Sequence, residues 1–135
     1  MYKISRISFF ILFLSCLFLT GCGGKPTVSW QGEVTVGGKP LPSNVSEAVI
    51  QVLPMGKDSA GPAQAEIKDG KYDIKKVPQG DVLVQFVINA PTGKKRTDPV
   101  YKTTYDEQKN LIPPAKRSGI RMTADKNNSS QNFDL

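Results

Sequence analysis

Few side chains in this sequence are equipped for chemistry. Its 135 residues include two cysteines, Cys16 and Cys22, and no histidine. Without imidazole there is no His general base, no Ser-His or Cys-His nucleophile pair and no imidazole-ligated metal site. Two thiols build neither a disulfide framework nor a four-thiolate zinc site. The remaining acid–base candidates are carboxylates: Asp69, Asp73 and Asp81, and the neighbours Asp106 and Glu107. A glycosidase sets two carboxyl groups roughly 5–9 Å apart across the scissile bond. These acids instead lie in turn-forming stretches, where Asp serves by hydrogen-bonding the local backbone. No stretch has the acidic spacing of a calcium loop. The expectation is a chain with no catalytic residue, no cofactor and no metal.

Residues 1–21 read as an address. Lys3 and Arg6 precede a largely apolar run of 13 residues, Ile7 to Leu19, which holds four of the six phenylalanines. A mature membrane-crossing helix needs roughly 20 such residues, so the run reads as the apolar segment of an export signal. It is followed by Leu19-Thr20-Gly21-Cys22, which resembles the lipobox of bacterial lipoproteins. In that family the box cysteine receives a diacylglyceryl group, the chain is cut before it, and the freed amine takes a further acyl chain. Small Thr20 and Gly21 suit the cleavage site, and Cys22 offers the sulfur. Cys16 would leave with the signal and Cys22 would be blocked, so no thiol stays free for catalysis or a disulfide. One acyl chain binds a membrane only marginally, whereas two or three hold stably. By resemblance to proteobacterial sorting, Gly23 after the anchor directs the protein to the outer membrane of the cell envelope.

The chain that remains carries a formal charge of +4, since 16 basic residues face 12 acidic ones. Its basic side chains are dispersed and do not alternate with aromatics, so nucleic acid is not an expected partner. Gly and Pro recur throughout, which disfavours long helices and divides the sequence into short alternating runs. After a tether at 22–27, strands are expected at 28–36, 48–53, 63–68, 71–74, 81–90, 119–123 and 132–135. Trp30, Val34 and Val36 share one face of the first. Val82, Val84, Phe86 and Ile88 share one face of the fifth, which also carries Leu83 and Val87 behind and reads as central. Gly37-Gly38 and Asp69-Gly70 are two-residue hairpin signals. The predicted architecture is an all-β, seven-stranded, transthyretin-like or immunoglobulin-like β-sandwich following an N-terminal signal helix.

Several motifs here, in order, resemble the carboxypeptidase regulatory-like domain: Gly32 to Leu41 its opening strand and turn, Ala48 to Pro54 its second strand, and Asp69 to Ile74 with Val77-Pro78-Gln79-Gly80 its paired turn segment. The end of the chain, Leu111 to Lys116, Ser118 to Thr123 and Asn132 to Leu135, looks like a bacterial lipoprotein subfamily built on that domain. Arg117 departs from the pattern, which has an aromatic residue there. The resemblance covers most of residues 30–135 and implies a transthyretin-like sandwich over 28–135. In carboxypeptidases this domain is an accessory, so no catalytic residue carries across. The hydroxyisourate hydrolases of the same superfamily depend on histidines, which this chain lacks.

One stretch stands out for binding. Residues 91–116 make a connection of 26 residues, far longer than the usual 4–6. It holds Lys94, Lys95 and Arg96, then Tyr101 and Tyr105. It reads either as a binding loop for an anionic or protein partner or as a solvated crossover between sheets. The expected protein is a non-catalytic, membrane-anchored binding or scaffolding module. The alternative is an accessory carbohydrate- or protein-binding subunit of an envelope enzyme or export complex. Its expected partners are membrane lipid, through acylated Cys22, and an envelope protein or glycan.

Overall fold

The computed structural model describes residues 24–135. Nine strand segments follow one another: β1 (Thr27–Val36), β2 (Lys39–Pro40), β3 (Glu47–Pro54), β4 (Ala63–Glu66), β5 (Lys71–Pro78), β6 (Gly80–Thr97), β7 (Thr104–Asn110), β8 (Ile120–Ala124) and β9 (Phe133–Asp134). A single 3-10 turn, Pro114–Lys116, is the only helical piece among the described residues. One sheet gathers β2, β5 and β9 around β1; the other has the order β4-β3-β6-β7, with β8 also paired to β6. All pairs are antiparallel except β1 with β9. The chain is an all-β sandwich, as its alternating pattern implies.

Period-two alternation builds the core. Along β6, Val82, Val84, Phe86 and Ile88 are buried, and along the neighbouring β3 Ala48, Ile50 and Val52 lie beside them on the same face of the sheet. The opposing sheet contributes Trp30, Val34, Tyr72, Ile74 and Val77. Each fully buried Val or Ile stabilises by about 1.5–3 kcal/mol. The buried core residues described run from Val28 to Leu135. Val36, on the same face of β1 as Trp30 and Val34, is partly buried against it, as are Ile120 and Met122. Behind β6, Leu83 is half-buried and Val87 is 41% exposed, so the outer face is only partly apolar.

The glycine turns close as their chemistry requires. Asp69 and Gly70 have φ of +50° and +75°, both left-handed, and Lys68 and Lys71 exchange two 2.8 Å backbone hydrogen bonds across them. Such a turn needs positive φ at both central residues, which Gly and Asp tolerate. Gly37-Gly38 repeats the arrangement at +58° and +72°. There the Asp134 carboxylate accepts from the Gly38 N–H at 2.7 Å and from the Thr35 hydroxyl at 2.8 Å.

The seven expected strands are all present, with two further segments, β2 and β7. The largest difference lies at 91–116, which is neither an irregular loop nor a crossover between sheets. β6 runs on to Thr97 and returns as β7 in the same sheet. The 125–131 stretch, between β8 and β9, lines the edge of β1. Asn128 and Gln131 bond the backbone of Ser29 and Gln31, while the Asn127 and Asn132 side-chain oxygens accept from the Ser29 and Glu33 N–H groups. An open edge is thereby covered, which blocks edge-to-edge association. Arg117 donates through Nε to the Ile112 carbonyl at 3.0 Å.

Candidate functional site

Leu19, Thr20, Gly21 and Cys22, together with the rest of the expected signal, lie outside the described residues. The remaining candidates converge on the β6–β7 hairpin. β3 accompanies β6 only as far as Glu47 opposite Asn89; from Pro91 to Thr97 only β7 pairs with it. At about 3.3 Å per residue, these seven residues carry the hairpin roughly 20 Å past the sandwich. Gln108 marks its base, where the side chain accepts a 2.6 Å hydrogen bond from Ser46.

Lys94, Lys95, Arg96, Tyr101 and Tyr105 are all exposed on this projection. Arg96 lies opposite Tyr105 and pairs with Glu107 at 2.5 Å. Glu107 also accepts from the Thr92 hydroxyl at 3.1 Å. Lys95 lies opposite Asp106, on the face away from Arg96, because neighbours in a strand point to opposite sides. A register shift between Pro91 and Lys95, with Gly93 at φ +78°, offsets Lys94 from the ladder. Among the described residues, Arg96 is the only cation of the triplet held in an ion pair.

The tip contains residues that sequence reasoning passed over. The Asp98 carboxylate accepts from the Val100 and Tyr101 N–H groups at 2.7 and 2.8 Å, and Lys102 takes a left-handed φ of +56°. This folds the Pro99–Lys102 segment so that Val100 and Tyr101 stand 76% and 79% exposed. Asp98-Pro99 is itself a turn signal that could have marked the reversal. The polar strands on either side carry no apolar alternation to mark the hairpin arms. Trp30, the one tryptophan, is a core residue at 2% exposure and offers no surface for a glycan.

The candidate acids do not form a pair. Asp69 occupies the β4–β5 turn, whereas Asp81 starts β6 at the other end of the sandwich and accepts from Thr123 at 2.9 Å. Asp73 is bound by Lys75 at 2.6 Å. Asp106 and Glu107 are strand neighbours and therefore face opposite ways. An open groove of about 800 Å³ holds Glu33, Glu66 and Asp73, each facing a lysine: Lys71, Lys68 and Lys75 respectively. A second open groove, of about 750 Å³, lies between the 41–49 segment and β4. The Lys75 hydrogen bond lowers the Asp73 pKa, and the Gly38 and Thr35 bonds lower that of Asp134. A general acid at neutral pH requires a shift in the opposite direction. Among the described residues no group of three acids or thiols stands ready for a metal ion.

The two ends of the molecule differ. The Pro26 carbonyl accepts a 3.2 Å hydrogen bond from the Gln79 N–H, which fixes the chain before β1 beside the start of β6. The hairpin tip lies at the far end of that same strand, 18 residues long, or about 55 Å along its course. Comparison with family models, curated proteins and solved structures returns no match for this chain.

Proposed function

We propose that this protein is a non-catalytic bacterial envelope lipoprotein that holds a hairpin away from the membrane carrying it. Cys22 is the acylated residue, and Leu19, Thr20 and Gly21 precede the cut. The outer membrane is the anchoring bilayer, and the sandwich acts as a carboxypeptidase regulatory-like scaffold. The observation that carries this reading is the placement of Pro26 and the Val100–Tyr101 tip at opposite ends of β6. A five-residue tether from Cys22 to Pro26 reaches at most about 18 Å, so it keeps the β1 start close to the bilayer. The test is metabolic labelling with palmitate. Wild type incorporates label and Cys22→Ser does not; equal labelling of both would refute the anchor.

A second reading, an accessory carbohydrate- or protein-binding subunit, draws on the exposure of Tyr101 and Tyr105. Trp30, buried in the core, does not contribute to it. It predicts that Tyr105→Ala weakens retention on peptidoglycan or on envelope protein, measured by co-sedimentation.

A further inference from the structure

The hairpin is an unusual use of chain. An isolated two-stranded hairpin is marginal in water, and this one has no apolar face to pack. Its β7 arm is exposed along nearly its whole length, with only Glu107 partly covered. What it holds in place is a two-residue apolar tip, Val100 and Tyr101, tied down by Asp98. Around that tip stand Lys94, Lys95 and Lys102. Residues 91–110 carry five Lys or Arg against three acids, Asp98, Asp106 and Glu107. Two of those acids are engaged, Asp98 in the turn and Glu107 with Arg96, and Asp106 lies opposite Lys95.

We propose that this tip docks end-on onto an anionic phospholipid bilayer. Valine and tyrosine at the apex match the interfacial zone, where tyrosine keeps its hydroxyl wet and its ring in the acyl boundary. Lysines just behind the apex match the headgroup charge, each adding about a fivefold gain in affinity near an anionic surface. Arg96 is paired with Glu107, so Lys94, offset from the ladder, Lys95 and Lys102, at the turn, are the cations gathered behind the apex. That arrangement fits an end-on approach. A glycan would require a flat aromatic row on one face, and a protein groove would require an apolar side to the hairpin. Because the tip and Pro26 occupy opposite ends of β6, the bilayer it meets is a second one, facing the anchoring membrane. This last point rests on the anchor proposed above, whereas the affinity of the tip does not.

The test separates the two. Residues 24–135, first shown to be folded by circular dichroism, are sedimented with vesicles of phosphatidylcholine alone or mixed with phosphatidylglycerol. Binding is expected to be at least tenfold stronger with phosphatidylglycerol. It should be lost in Val100→Ser/Tyr101→Ser and fall about a hundredfold or more in Lys94→Glu/Lys95→Glu/Lys102→Glu. Unchanged circular dichroism should show both variants folded. No preference for anionic vesicles, or full binding by either variant, overturns the proposal and leaves the tip to a protein or glycan. In the second arm, full-length protein anchored in phosphatidylcholine vesicles should capture added phosphatidylglycerol vesicles. Capture supports the bridging geometry. Failure here with binding in the first arm overturns the bridging claim and leaves the tip intact.

Discussion

The hydroxyl of Tyr72, on β5, donates a 2.5 Å hydrogen bond to the backbone carbonyl of Gln131, 59 residues further along the chain. Its ring lies 6.1 Å from that of Phe133, which in turn meets Phe86 edge-on at 5.2 Å. One side chain thus ties the last segment to the first sheet and, through Phe133, to the second. Tyr72→Phe keeps the ring and removes the bond, leaving a carbonyl without its partner. The expected loss is about 1 kcal/mol in chemical unfolding at neutral pH.

Burial raises the Tyr72 pKa above the usual tyrosine value. The folded state therefore holds the phenol proton more tightly than the unfolded chain. Stability from this group is complete below about pH 10 and declines as pH rises beyond it. Tyr72→Phe should flatten that alkaline decline, read as the slope of unfolding free energy against pH above about 10.

Asp134 behaves in the opposite sense. Its pKa is lowered, first by the Gly38 N–H and then by the Thr35 hydroxyl. The unfolded chain then binds the proton more tightly, so stability is present above the ordinary carboxylate range and is lost as pH falls through it. Asp134→Asn should reduce the acid sensitivity of unfolding below about pH 4. An unchanged acid profile would mean that the carboxylate does not clamp the Gly37-Gly38 turn.

A Cβ at Gly32 would run into the Gln131 carbonyl carbon and oxygen, both backbone atoms that cannot swing aside. Gly32→Ala should cost about 1–3 kcal/mol as an overpacking change. Gly24→Ala, with nothing near its Cβ position, should leave the unfolding midpoint unchanged. Thermal unfolding of the pair checks this directly.

Asp98 shapes the tip without touching the core. Asp98→Ala should speed amide exchange at Val100 and Tyr101, whose N–H groups it accepts, while the global unfolding midpoint stays within about 0.5 kcal/mol. Equal exchange rates in the two proteins would show that the turn is held some other way.

The fold was legible where apolar residues alternate. Val82 to Ile88 and Ala48 to Val52 each declare a buried face, and Asp69-Gly70 declares its turn by chemistry that few residues supply. The candidate site was legible only as a cluster of residue types. The arms of the β6–β7 hairpin are polar on both faces, so no period-two contrast marks them, and Asp98-Pro99 alone signals the reversal. The role of Asn127, Asn128 and Asn132 was hidden for a related reason. They complete the edge of a strand about 100 residues away, a relationship that local spacing does not encode. Trp30 shows the converse: its type invites a binding role, and the pairing of β1 with β5 at Ile74 places it in the core.

The central claim is that this sandwich stands on its N-terminal end with the hairpin tip pointing away from the anchoring bilayer. It can be read as energy transfer to an acceptor lipid in neutral vesicles carrying the full-length protein. A donor attached at Lys25 should transfer strongly, and one attached at Lys102, beyond the far end of β6, should transfer weakly. Equal transfer from the two positions, or none from Lys25, would contradict the account.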